Sequence, residues 1–371
     1  MSRPNDTLPR FRTALEQFIE ERRLRDGVPG LSLAVVKGDR LVWARGFGVA
    51  GLAASRPATS ATIYLWFSMT KIATATAVMK LAEDDLLELD APVTRYFDGF
   101  SVVSQPRPIT VRHLLGHGSG LANPVPIRWV RSADAPAPDG REFLMRLLRR
   151  HNRLKFIPGE RAAYSNLGYL VLGQVISGVA GVPYEEYVRE ELLAPLGMVR
   201  TGFSYPEDAV SEAATGYQPL RRPLGAFLRA ALPGGVVGPR QGRYVGFDPF
   251  YVNGAPYGGL VGGAEEASRL ALLHLNGGKI GGRRMLSAES VAMMRGVIPN
   301  GGDRDFGLGW YRPHEATRQG RTFVEHLGGG AGFRNVMRLY PRESLGVVLM
   351  GNATRYDHEP ILDAVAGGDW P

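Results

Sequence analysis

The chain has 371 residues, 44% of them hydrophobic and 22% charged, and a formal net charge of +8 carried almost wholly by arginine. Such a composition describes a globular protein too long for one minimal core. The absence of cysteine excludes disulfides, thiolate catalysis and cysteine-ligated zinc.

The opening stretch "MSRPNDTLPRFRTALEQFIEERRLRDG" is charged and lacks an apolar signal core, which predicts a cytoplasmic protein. Residues 9–24 predict an amphipathic helix with Phe11, Leu15, Phe18 and Ile19 on one face. "LSLAVVKGDRLVWARGFGVA" predicts two strands around a tight Lys37-Gly38-Asp39 turn. A helix is expected from near Ser68 to about Glu83, and helical signals dominate from there to about residue 200. Among them, "SNLGYLVLGQVISGVAG" opens on a capping serine and closes on glycine. Its apolar core is too short to span a bilayer, so no membrane partner is expected.

Residues 201–257 are rich in glycine, proline and aromatics, including Tyr217, Phe227, Tyr244, Phe247, Phe250, Tyr251 and Tyr257. This pattern predicts an irregular segment that is a lid, a pocket wall or disordered. Helices return in "EEASRLALLHLNGG" and "SAESVAMMRG". The segments "DFGLGWYR", "RTFVEHLG", "FRNVMRLYP" and "SLGVVLMGN" then predict consecutive antiparallel strands. The expected class is therefore α+β. One antiparallel sheet is built from both termini (residues 1–67 and 281–371) and a mainly helical region (68–280) is inserted between them. The site is expected in the cleft between the two parts. The basic runs Arg146 to Lys155 and Arg221 to Arg243 are read as solvated surface, because no nucleic-acid-binding motif accompanies them.

The candidate chemistry begins at "FSMTKIAT", where Lys71 follows Ser68 by three positions. Residues three apart on a helix share a face, so the amine would stand beside the hydroxyl. The positive end of the helix dipole and the apolar neighbours Trp66, Phe67, Ile72 and Ala75 would both disfavour the ammonium. A lysine so placed can take the proton from a serine, which is a poor nucleophile without a base. The competing reading is a capping serine and a snorkelling lysine. His113 and His117 are four apart, but no Glu follows His113 as a zinc-protease helix requires, so no metal is expected there. A second Tyr-x-Asn, Tyr251-Val252-Asn253, is read as pocket wall or a chance match.

Two further motifs arrive in order, Tyr164-Ser165-Asn166 and His326-Leu327-Gly328. Ser-x-x-Lys, Tyr-x-Asn and His-x-Gly together resemble the three motifs of the serine β-lactamase and penicillin-binding-protein superfamily. The similarity is to the branch of class C β-lactamases, D-aminopeptidases and family VIII carboxylesterases. "ITVRHLLGHGSGL", "LAPLGMVRTGF", "GGLVGGAEEASRL" and "FGLGW" extend the resemblance from about residue 25 to 352.

The resemblance implies a β-lactamase/transpeptidase-like fold and no cofactor or metal. It also implies roles for single residues. Ser68 is the acylated nucleophile, and Lys71 and Tyr164 move its proton, with the choice of base between them open. Asn166 orients the substrate and the lysine, and the N–H groups of Ser68 and Gly329 form the oxyanion hole. His326 and Gly328 replace the Lys and Gly of the β-lactamase third motif. The Leu327 side chain cannot donate a hydrogen bond, so strong β-lactamase activity is not expected. The expected activity is carboxylic ester hydrolysis on a small-molecule substrate. The alternatives are a D-aminopeptidase, amidase or peptidase, a weak β-lactamase, an acyltransferase, and a non-catalytic sensor with the same fold.

Overall fold

The computed structural model describes residues 7–206, 210, 212–220, 224–298, 304–314, 317–318 and 320–371. The two apolar runs flanking Gly38 form a hairpin of β1 (Gly30–Lys37) and β2 (Arg40–Gly51), with Lys37 paired to Arg40 across the turn. β1 is almost entirely buried because it is flanked on both edges. β2 lies on one side and the strand Leu345–Gly351 on the other, both antiparallel to it. A strand covered on both faces reads as a continuous hydrophobic run rather than an alternating one.

From that centre an eight-stranded sheet grows in both directions. Its order is Arg304–Phe306, Tyr311–Pro313, Val324–Gly330, Phe333–Tyr340, Leu345–Gly351, β1, β2 and Arg56–Pro57. Strands from both ends of the chain thus share one sheet, as expected. Side chains alternate between its faces. Leu31, Leu33, Val35, Val347 and Leu349 face one core with Leu15 and Ile19 of the N-terminal helix (Thr7–Asp26) and Ile361, Leu362 and Val365 of the C-terminal one (Glu359–Ala366). Ala34, Val36, Val348 and Met350 face the other core, which holds the helices Thr70–Glu83, Asn166–Ala180 and Ala264–Leu275. Among the described residues no single helix is long and apolar enough to cross a membrane.

Two expectations need correction. "DFGLGWYR" is a pair of short strands, Arg304–Phe306 and Tyr311–Pro313, folded back on each other. Gly309 turns the chain with a φ of +86°, where a Cβ would also fall 2.5 Å from that of Ala75. The segment 201–257 is not irregular throughout. It carries a three-stranded sheet in the order Gly216–Pro219, Tyr244–Phe247, Val237–Gln241. Tyr217, Tyr244, Phe247, Phe250 and Tyr257 are buried in it and beneath it, while Phe227 stays exposed. The aromatics that read as loop lining are its core, so burial of apolar area offsets the loop's ordering cost.

Candidate active site

Ser68 sits in a single 3₁₀ turn, Phe67–Met69, that leads directly into the helix Thr70–Glu83. Phe67 is held at a φ of +49°, a region that bulky residues rarely occupy. Its ring is fixed between Phe250 and Phe333, with centroids 6.2 and 6.4 Å away. Strain of this kind persists only where packing over-determines it, and here it presents Ser68 at the turn's edge, half-buried.

One turn on, Lys71 is fully buried. Its Nζ lies 3.1 Å from Ser68 Oγ, 2.8 Å from Asn166 Oδ1 and 2.8 Å from the carbonyl oxygen of Tyr257. The rings of Tyr164, Tyr169 and Tyr257 surround it at 4.9, 5.4 and 5.2 Å. No carboxylate is among these partners. Loss of hydration therefore pushes the lysine pKa well below its ordinary value.

Asn166 is brought to Lys71 by the start of its own helix. Ser165 caps that helix by accepting from the N–H of Gly168, as the sequence predicted, and Gly181 closes it with a φ of +72°. Ser165 also donates to the carbonyl of Ala122, and its N–H donates to Nδ1 of His117. The Tyr257 carbonyl is steadied by its neighbour, because Thr74 Oγ1 donates to Pro256 O across 2.7 Å.

Tyr164 is half-buried and lines the same cleft as Ser68. Burial raises its pKa, while the neighbouring Ser68 hydroxyl and the charge of Arg304 act in the other direction. His117 backs the ring, with centroids 4.5 Å apart, from a backbone φ of +58°. His113 instead caps the helix Val111–Leu115 through a reciprocal pair of bonds with Thr110. The two histidines therefore have separate structural tasks. Glu325, His358 and Glu359 also converge closely enough to suggest a metal. The guanidinium of Arg338 already bonds both carboxylates there, at 2.8 Å to each.

The third motif lies on the strand Val324–Gly330, which passes directly over the serine turn. A Cβ on Gly328 would fall 1.9 Å from Trp66 O, and one on Gly330 would fall 2.2 Å from the Phe67 ring. Glycine is what permits this approach. The N–H of Leu327 donates outward to Tyr311 Oη at 3.0 Å. Alternate N–H groups of a strand point to the same edge, so that of Gly329 points there too, beyond the end of the Tyr311–Pro313 strand. The N–H of Ser68 lies in a first helical turn, where such groups lack intrahelical partners. His326 is buried, with Nδ1 2.8 Å from the carbonyl oxygen of Leu327. Burial first, then the charge of Lys71, lowers its pKa to about 3, so it is neutral at physiological pH.

Ser68, Tyr164, Arg304, Tyr311, His326 and Gly329 all open onto one cleft of about 420 Å³. A smaller hollow of about 270 Å³ is lined by Arg131, Gln174 and Asn253. Among the described residues of 201–257 none lines the serine's cleft, and the segment reaches Lys71 through the Tyr257 carbonyl. The sequence reading missed that carbonyl, His117, Tyr311 and Arg304. A backbone oxygen has no sequence signature, and Arg304 lies outside every motif.

A family model described as Beta-lactamase matches residues 15–367. The chain belongs to the beta-lactamase family. Members of this superfamily are serine hydrolases acting on esters, amides or β-lactams. The chain is 26% identical over 365 residues to an Escherichia coli O157:H7 protein named "Putative D-alanyl-D-alanine carboxypeptidase", covering 91% of this chain and 80% of that one. Its fold matches an octameric penicillin-binding protein homologue from Pyrococcus abyssi at a TM-score of 0.77 and 28% identity, covering 96% of this chain and 77% of the other. It also matches EstCE1, a hydrolase with promiscuous acyltransferase activity, at a TM-score of 0.76 and 24% identity, covering 96% and 99%. These likenesses make the fold that of the β-lactamase and transpeptidase superfamily, as the three motifs implied.

Proposed function

We propose that this chain hydrolyses carboxylic esters through an acyl-enzyme on Ser68. The supporting observation is the bonding of Lys71. A neutral amine has two N–H bonds and one lone pair. The oxygens of Asn166 and Tyr257 can only accept, so they take the two N–H bonds. The lone pair then faces Ser68 Oγ, which can donate.

Ser68 Oγ attacks the ester carbonyl carbon as its proton passes to Lys71 or Tyr164, which with the serine form one coupled titrating set. The oxyanion settles between the N–H groups of Ser68 and Gly329. The carbon–oxygen bond to the leaving alcohol breaks, and the alcohol departs with a proton delivered through Tyr164. Water, deprotonated by the same set, attacks the acyl group and releases the acid with Ser68 restored. Asn166 holds Lys71 in place and offers its amide to the substrate.

The test is a panel of p-nitrophenyl esters, with turnover expected to fall by at least about 10⁴-fold in Ser68→Ala. Ester turnover surviving that change would overturn the reading. A second reading, amide or peptide hydrolysis, is favoured by the name of the Escherichia coli relative and by Tyr164, since an amine leaves only when protonated. D-amino-acid p-nitroanilides separate it from the first. Nitrocefin and an added alcohol acceptor report β-lactam hydrolysis and acyl transfer.

A further inference from the structure

We propose that Thr74, with Tyr184 behind it, is a positioning residue for the reaction at Ser68, acting by fixing the backbone carbonyl that holds Lys71. The inference rests on the acyl-enzyme reading above and adds two residues that lie outside the three motifs.

The short helix Ala255–Gly258 and the residues after it are docked on the helix Thr70–Glu83 by three side chains near that helix's start. Thr70 Oγ1 accepts from the N–H of Leu260 at 3.2 Å, Lys71 Nζ donates to Tyr257 O at 2.8 Å, and Thr74 Oγ1 donates to Pro256 O at 2.7 Å. Lys71 and Thr74 are three apart and share a face, and their acceptors are consecutive carbonyls. Only the φ and ψ of Tyr257 lie between those two carbonyls. Holding the first therefore limits where the second can point.

The direction of each bond follows from its partners. A carbonyl oxygen only accepts, and a threonine hydroxyl has one proton to give. That proton goes to Pro256 O, since the other acceptor, Thr70 O, is 3.4 Å away. Thr74 Oγ1 then accepts from Tyr184 Oη, 2.8 Å away. The order is Tyr184 to Thr74 to Pro256. All three residues are buried. Burial also raises the Tyr184 pKa, so the phenol keeps the proton it donates. In such surroundings each hydrogen bond of a chain strengthens the next.

Neither Thr74 nor Tyr184 lines the serine's cleft, so their effect passes through Lys71. With Tyr257 O held, one N–H of the neutral amine has a set acceptor and the lone pair stays on Ser68 Oγ. Without the Thr74 bond, Pro256 O is buried and unpaired. The Tyr257 carbonyl then turns, and the amine tilts off the serine.

The test measures p-nitrophenyl acetate hydrolysis by four variants. Thr74→Val keeps the shape of the side chain without its proton and should lower kcat by about 10- to 100-fold, with KM within about 2-fold of the wild type. Thr74→Ser returns the hydroxyl and should recover kcat to within about 3-fold. Tyr184→Phe leaves Thr74 its proton and should cost about 3-fold in kcat. Thr76→Val controls for folding, because Thr76 is buried on the same helix but bonds Ile72 O and His274 Nε2 at 2.7 and 3.0 Å. It should lower the melting temperature as Thr74→Val does and keep kcat within about 2-fold. Wild-type kcat in Thr74→Val, no recovery in Thr74→Ser, or an equal loss of kcat in Thr76→Val would overturn the proposal. Where Thr74→Val does not fold, wild-type kcat in Tyr184→Phe would do the same. If the wild type hydrolyses no ester and takes up no fluorophosphonate, the hydrolase reading has failed and this inference falls with it.

Discussion

Asn166 Oδ1 accepts a hydrogen bond from Lys71 Nζ across 2.8 Å, joining the first turns of two helices whose contacting residues are 95 positions apart. The bond occupies one N–H of the amine, the Tyr257 carbonyl takes the other, and the lone pair is left to Ser68. Replacing Asn166 by Ala should free the lysine to turn and leave Nζ–H unpaired. A fall in kcat of about 10²-fold is expected, with a smaller change in KM. Asn166→Asp should instead pin Lys71 as an ammonium and move the acid limb of the pH–rate profile upward. Steady-state kinetics from pH 5 to 10 check both outcomes.

The buried lysine also makes stability depend on pH. Its native pKa lies well below the ordinary value because burial removes hydration. Between that native pKa and about 10.4 the unfolded chain binds a proton that the folded chain does not. Stability therefore rises with pH across this window. Relative to Lys71→Met, the wild type should gain up to about 1.4 kcal/mol per pH unit there. Urea unfolding of both proteins at pH 7, 8 and 9 measures the slope. Parallel curves would mean that Lys71 is charged in the folded state.

Acid should destabilise the protein early. His274 and His326 have pKa values lowered to about 3 and His358 to about 4, each mainly by burial, and His117 lies well below its usual value for the same reason. Below about pH 6.5 the unfolded chain takes up these protons while the native chain refuses them, so stability is lost as pH falls. The slope of unfolding free energy between pH 6.5 and 4.5 should exceed that of a single group, about 1.4 kcal/mol per unit. Since His326 does not titrate in the working range, His326→Gln should leave the pH midpoint of kcat/KM where it is.

The glycines of the third motif should differ sharply among themselves. Gly328→Ala drives a methyl to within 1.9 Å of Trp66 O, whereas at Gly329 the nearest atom is Phe333 O at 3.8 Å. Gly328→Ala should push the strand off the serine turn and separate the two N–H groups of the proposed oxyanion site. A loss of about 10²- to 10³-fold in kcat is expected. Gly329→Ala should stay within about 10-fold of the wild type on small acyl esters. Equal losses in the two variants would mean that the gap above Ser68 does not set the rate.

Much of this was legible in the sequence, for identifiable reasons. β1 and β2 read as a hairpin because the hydrophobic runs and the Gly38 turn are local signals. The helix carrying Asn166 read correctly because Ser165 and Gly181 mark its ends, whereas the one carrying Lys71 read as a helix with no side-chain cap at its start. Ser68, Lys71, Tyr164, Asn166 and His326 were linked by motif order, and the fold puts Ser68, Tyr164 and His326 on one cleft with Lys71 and Asn166 buried beside Ser68. Other features depend on tertiary context. Tyr257 contributes a carbonyl, which any residue has. His117 was set aside with His113 as a failed metal pair, and its ring contact with Tyr164 and the bond it accepts from Ser165 separate the two. The strands of 201–257 are short and their turns glycine-rich, so periodicity gave them no weight. Arg304 is one arginine among many until the hairpin at Gly309 folds it into the cleft.

The central claim is that Ser68 becomes covalently acylated, and intact-mass and peptide-mapping mass spectrometry after exposure to a fluorophosphonate probe tests it most directly. A single adduct on the peptide containing Ser68, absent from Ser68→Ala together with ester turnover, is the predicted result. An adduct on any other residue, or undiminished ester turnover in Ser68→Ala, would contradict it.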